Sequence, residues 1–144
     1  MNRRDFLSSV AVAPALAIRQ TPQPPAVPPG PHGLKLGTVT YNIAKDWDVP
    51  TIIKNLTEAG FDGVELRTTH KHGVEITLTP AQRAEVRKQF EDSPIKIGGL
   101  GTTCEFHSSD PAAVRKNIDE TKEWIKLGKD LGSPSVKVRP NGLV

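Results

Sequence analysis

The chain has 144 residues, 36% hydrophobic and 24% charged, which is the balance of one ordinary soluble domain and not of a disordered chain. Its formal charge of +3 comes without any Lys/Arg run interleaved with aromatics, which argues against a nucleic-acid partner. The single cysteine, Cys104, excludes an internal disulfide framework and reads as a small buried filler.

Residues 1–20 carry an export pattern. MNRRDFLSSVAVAPALA pairs Arg3 with Arg4, continues with Phe6 and Leu7, and runs without charge to Ile18, with Ala15-Leu16-Ala17 as a small-residue cleavage step. It resembles a twin-arginine signal, although Asn2 stands where Ser or Thr is usual and Pro14 interrupts the apolar run. The run is too short for a spanning helix, which needs about 20 apolar residues. The expectation is a processed protein, periplasmic or extracellular, with no stable membrane anchor; a frayed cytosolic N-terminus is the plain alternative. Residues 21–33, TPQPPAVPPGPHG, are too rich in proline to pack or to form a helix and read as an extended linker.

From Leu34 onward strands and helices alternate. LKLGTVTYNI is strand-like, and Asp48 with Pro50 opens a helix whose Ile52, Ile53, Leu56 and Ala59 share a face before Gly60. GVELR is a second strand. Thr79-Pro80 with Gln82 then forms a capping box that opens a helix to about Asp92, with Ala84, Val86 and Phe90 as apolar contacts. IKIGGLGTTCEFH reads as a third strand running into a glycine-rich loop. Asp110-Pro111 starts a longer helix, with Val114, Ile118, Thr121 and Ile125 on one stripe and Gly132 at its end. SVKVR is a fourth strand.

This order predicts an α/β fold of parallel (β/α) units. A doubly wound sheet has central strands that are apolar on both faces, but here Val64 and Leu66 alternate with Glu65 and Arg67, and Val136 and Val138 with Lys137 and Arg139. One apolar and one charged face fit a barrel, with helices outside and polar groups at the mouth. The polar residues gather where strands end: Tyr41 and Asn42 after the first; Glu65, Arg67, His70 and His72 after the second; Cys104, Glu105 and His107 after the third; Lys137, Arg139 and Asn141 after the fourth. The connection from Thr68 to Leu78 is longer than such loops usually need and reads as a functional lip. Glu65 with Arg67 or Lys137 has two readings, an ion-pair layer filling the barrel or a polyol-binding group facing its mouth. His70 and His72, one residue apart, would point oppositely if extended, so the two sharing one metal is not expected.

At these residues the chain resembles the sugar phosphate isomerase/epimerase family, the xylose isomerase-like barrels. The resemblance rests on the element order across Leu34 to Val144, on AGFDGVEL (Ala59 to Leu66), on histidines following the second and third strands, and on an export signal ahead of a proline-rich tether. It implies that Glu65, His70 and His107 are catalytic-site residues and that Asn42, Arg67, His72, Lys137 and Arg139 contact a small-molecule sugar or sugar phosphate. It also implies a divalent metal in the complete barrel, held by carboxylates and a histidine on later strands, with acid/base carboxylates moving a proton next to a carbonyl. A full barrel takes about 250 residues, so residues 34–144 are expected to supply its first half, with no metal ligand of their own. Such a half would carry two open sheet edges, an invitation to self-association. A non-catalytic exported half-barrel that binds carbohydrate or a partner is the alternative function, and a metal-dependent phosphodiesterase on the same barrel is a third.

Overall fold

The structure, a computed structural model, describes residues 33–139. The export segment, the linker up to His32 and Asn141 lie outside the described residues. Strands β1 (Gly37–Val39), β2 (Gly63–Arg67), β3 (Lys96–Glu105) and β4 (Val136–Arg139) alternate with helices α1 (Val49–Glu58), α2 (Pro80–Glu91) and α3 (Pro111–Leu131). The four strands form one sheet in the order β1-β2-β3-β4, and each neighbouring pair is parallel. The α/β alternation read from the sequence is the fold.

Each helix starts where a side chain replaces the missing intrahelical acceptor. Asp48 accepts the Thr51 N–H at 3.0 Å, and its hydrogen bonds with Thr51 hold its carboxyl below the usual range. Thr79 and Gln82 form the reciprocal capping box, with Thr79 N–H donating to Gln82 Oε1 at 2.9 Å. Asp110 accepts the Ala112 N–H at 2.9 Å, and α3 ends at Gly132 in the left-handed conformation, φ 73°. All three helices carry proline in the first turn, where no N–H is missed.

The core lies between the helices and one face of the sheet. Val64 and Leu66 of β2, Ile97, Leu100 and Cys104 of β3, Ile52 and Leu56 of α1, Phe90 of α2, and Trp124, Leu127 and Leu131 of α3 are all buried. At about 1.5–3 kcal/mol for each large apolar side chain removed from water, this layer holds the helices on the sheet. Cys104 is part of it.

The packing departs from the sequence reading in four places. Ala59 and Ala84 are exposed, the former at the C-cap of α1 and the latter beside Arg83, which fills the inward position on α2. On α3 the buried face runs through Trp124, Leu127, Gly128 and Leu131, while Ile125 is 55% exposed. Gly128 sits there because helix and sheet approach closely: a Cβ would meet Val136 Cγ2 at 3.4 Å. β1 is three residues long, and Leu34 and Leu36 lie outside the core. No helix among the described residues is long and apolar enough to cross a membrane.

One irregularity in the sheet sets the geometry of everything above it. The β2–β3 register runs Val64 to Ile97 but Glu65 to Gly99, so Gly98 is an extra residue, a bulge. The bulge keeps Ile97 and Leu100 beside Val64 and Leu66 on the helix-covered face. It places Gly99 and Gly101 beside Glu65 and Arg67 on the other. A groove of about 610 Å³, lined by Leu36, Thr38, Val39, Gly63, Glu65 and Lys96 among others, runs along this uncovered face toward the N-terminal ends of the strands.

Candidate functional site

The alternation in β2 delivers what the sequence implied: Val64 and Leu66 are each 1% exposed, while Glu65 and Arg67 stand on the opposite face. Register then fixes their neighbours. Arg67, Gly101 and Lys137 form one row across β2, β3 and β4. The middle member has no side chain, and Glu65 fills the vacancy: its Oε1, shut off from solvent, meets the Lys137 ammonium in a short ion pair. The Glu65 side chain keeps 23% exposure and the Lys137 side chain 55%, so the pair lies at a solvent boundary and not in a sealed core. The guanidinium of Arg67 lies over the Tyr41 ring, 4.5 Å from its centroid, a cation–π contact at the strand end.

His70 joins the β1 side of Arg67 through Thr40. Its Nδ1 is 2.9 Å from Thr40 Oγ1, which also accepts the Arg67 N–H at 3.0 Å. Burial first, then the positive charge of Arg67, lowers the pKa of His70 below the ordinary value, so the ring is neutral. Neutral imidazole with Nδ1 engaged leaves its Nε2–H side as a directional donor.

His72 does something else. It is 8% exposed, its Nδ1 accepts the Val74 N–H at 3.0 Å, and its Nε2–H donates to the Arg67 carbonyl at 2.9 Å. Both nitrogens are taken by backbone, so the side chain expected to touch substrate instead braces the loop. Burial pushes its pKa down to about 4. The loop is not extended, as Thr69 and Gly73 have φ of 68° and 66°, and the two imidazole rings meet edge-on with centroids 6.0 Å apart. Thr69 is β-branched in a left-handed conformation, a strained position. Glu75 holds it there: the carboxylate accepts the Thr69 N–H at 2.6 Å and the Thr68 hydroxyl at 2.8 Å. At its far end the loop is gripped by Arg83, whose Nε and Nη2 donate to the Leu78 and Ile76 carbonyls at 3.0 and 2.8 Å and whose Nη1 reaches Asp130 of α3. The lip is a braced wall. Thr40, Thr69, Glu75 and Arg83 were not read as functional from the sequence; their roles come from the fold of the loop, which no spacing announces.

The remaining residues are spread along the rim. His107 is 3.9 Å from Glu105 by Nε2, beyond the end of β3, while His70 is bound to Thr40 on the β1 side. Arg139 stands opposite Glu105 in the β3–β4 register. Asn42 is exposed with φ 60°, a conformation asparagine tolerates better than most residues, and it shapes the turn after β1. Among the described residues no three His, Cys, Asp or Glu side chains converge as a metal site. Glu65 is committed to Lys137 and His72 to backbone, so these residues do not by themselves fit a divalent cation.

The arrangement offers a carboxylate, two cations, an aromatic face and a neutral histidine at the C-terminal ends of parallel strands, where barrels of this architecture carry their sites. The pattern of the family described as "Xylose isomerase-like TIM barrel" matches residues 53–143. Seven solved chains match the structure. One of them, a crystal structure of D-psicose 3-epimerase in the presence of D-fructose, aligns with a TM-score of 0.59 at 20% identity, covering 73% of this chain and 37% of that one. The described residues thus form a partial TIM barrel, and the chain spans well under half the length of that structure. No curated protein matches the sequence. The chain belongs to the xylose isomerase-like TIM barrel family.

Proposed function

We propose that this chain is the substrate-binding part of a sugar isomerase or epimerase, working on a ketose or a related sugar derivative. The observation that carries the reading is the Glu65–Lys137 ion pair, laid across Gly101 at the strand ends beside Arg67. A carboxylate and an ammonium at a solvent boundary present acceptor and donor to neighbouring hydroxyls, and Tyr41 adds an apolar face for a sugar ring. In this reading His70 Nε2–H donates to a hydroxyl or carbonyl oxygen and Glu65 orients the substrate. Lys137, Arg67 and Arg139 meet hydroxyl or phosphate oxygens.

Proton transfer beside the carbonyl is assigned to carboxylates on further strands of a complete barrel, of which this chain is proposed to be one part. Export through the Arg3-Arg4 signal belongs to the same proposal, and so does association with other chains through the open edges of the sheet.

Titration of the chain with D-fructose, D-psicose and their phosphates, followed by amide shifts, tests the reading. Perturbations at Tyr41, Glu65, Arg67 and His70 that fall at least tenfold in affinity with Glu65→Gln are expected. Binding that leaves these amides unmoved, or no binding of any sugar, overturns it.

A further inference from the structure

We propose that Gly101 is a positioning residue for Glu65: its missing side chain is the seat through which the carboxylate crosses β3 to reach Lys137. Parallel strands lie about 4.8 Å apart, so residues on β2 and β4 are about two strand spacings from each other. Glu65 can touch Lys137 only by lying over the intervening strand. The residue under that crossing is Gly101, in register with Arg67 on one side and Lys137 on the other. A Cβ built there falls 2.8 Å from Glu65 Oε1, well inside van der Waals contact, while its distances to Arg67 Cα and Cβ, 3.6 Å each, are ordinary. The carboxylate and a methyl group cannot share the space.

A plainer reason for glycine is excluded by the same geometry. Gly101 is not among the residues of positive φ, so its backbone conformation suits any L-residue. Its neighbour Gly99 is held by a different contact, since a Cβ there would meet Ser135 Oγ at 2.7 Å and Glu65 only at Cγ, 3.8 Å away. Gly98, the bulge residue, would put a Cβ 3.6 Å from the Val64 carbonyl and is open to substitution. Of these three glycines, Gly101 alone answers to the Glu65 carboxylate. The obstructing atom is the tip of a flexible side chain, so Gly101→Ala swings Glu65 away and leaves the strand in place.

That Glu65 so placed meets a sugar rests on the function proposed above; the seat itself does not, and its test needs no ligand. Reductive methylation with ¹³C-formaldehyde labels Lys137, and its dimethylamine signal reports the carboxylate beside it. Glu65→Gln sets the unpaired reference. Gly101→Ala is expected to move the Lys137 signal to that reference, and Gly98→Ala to leave it at the wild-type position. A Gly101→Ala signal that stays at the wild-type position overturns the proposal. If Gly101→Ala alone fails to fold, the double variant Glu65→Ala/Gly101→Ala decides, because removing the carboxylate vacates the space the new methyl needs. Recovery of a cooperative melt is expected, and a double variant that remains unfolded overturns the proposal.

Discussion

Thr40 Oγ1 and His70 Nδ1 lie 2.9 Å apart, and the direction of that hydrogen bond follows from what the buried hydroxyl can reach. Thr40 is fully buried, its hydroxyl accepts the Arg67 N–H at 3.0 Å, and among the described residues His70 Nδ1 is the one acceptor its own proton reaches, so that proton goes to His70. The histidine is thereby fixed as the Nε2–H tautomer. Thr40→Val keeps the shape but leaves the Arg67 N–H without its acceptor, and it should destabilise the fold by about 1–3 kcal/mol. It should also release the tautomer, visible in long-range ¹H–¹⁵N spectra as a shift from the pure Nε2–H pattern to a mixture. Retention of the pure pattern in Thr40→Val would refute the argument.

His72 makes the fold sensitive to acid. Its pKa, pushed down to about 4 by burial, lies under the ordinary 6.5, so between these values the unfolded chain binds a proton the native loop refuses. A proton on Nδ1 would also face the Val74 N–H that this nitrogen now accepts. The contribution is present above pH 6.5 and is lost as pH falls toward 4, on the order of 3 kcal/mol over that window. Urea denaturation of wild type and His72→Gln across the window isolates it from the carboxylates. The difference between the two proteins should shrink as pH falls, and a constant difference would contradict the assignment.

The contrast between His70 and His72 marks what sequence can carry. Helix starts were legible because a cap is a bond between residues two or three apart: Asp48 with Thr51, Thr79 with Gln82 and Asp110 with Ala112 all form as their spacing implies. The two faces of β2 were legible because pleating alone sets them. Hidden were features that depend on a neighbour far away in the chain. β1 stops at Val39 because pairing with β2 ends, whatever the apolar residues around it suggest. Ile125 fits a stripe on paper but loses to Trp124 and Leu127, since a helix of 21 residues offers several apolar faces and the sheet chooses among them. His72 turned out to be a loop brace because Thr69 and Gly73 adopt left-handed turns, and Glu65 reaches Lys137 only because a bulge at Gly98 puts glycine at the crossing.

Arg83 should control the rigidity of the lip. Its side chain is 16% exposed and makes two hydrogen bonds to loop carbonyls and one ion pair with Asp130. Arg83→Met preserves the apolar stem but abandons the Ile76 and Leu78 carbonyls, for an expected loss of about 2 kcal/mol. Hydrogen exchange at the loop amides, including the Leu78 N–H that bonds to Glu75, should quicken at least tenfold more than at β2. Uniform acceleration across the domain would mean that Arg83 serves global packing instead.

The Glu65–Lys137 pair should be asymmetric. Removing the ammonium by Lys137→Met strands a carboxylate oxygen already closed to solvent, whereas Glu65→Gln leaves a half-exposed lysine free to turn toward water. Lys137→Met should therefore lower stability by about 1–3 kcal/mol, and Glu65→Gln by less than about 1 kcal/mol. Equal losses in urea melts would place the pair on the surface in energetic terms.

The uncovered face of the sheet carries the last expectation. β1 is an edge strand, and Leu34, Leu36, Tyr41 and Ile43 around it are 97%, 53%, 55% and 78% exposed. Leu36 also lines the groove of about 610 Å³ on that face. An edge with unpaired backbone groups and apolar neighbours favours pairing with another chain, and lysine on such an edge opposes it by placing a charge where a partner would dehydrate it. The chain is therefore expected to sediment as oligomers at micromolar concentration, and Leu36→Lys to shift the distribution toward monomer. Leu36 lies outside the core cluster, so the substitution should leave the thermal melt of the dissociated protein unchanged. A wild-type chain that sediments as monomer throughout the concentration range would show that this face is satisfied without a partner.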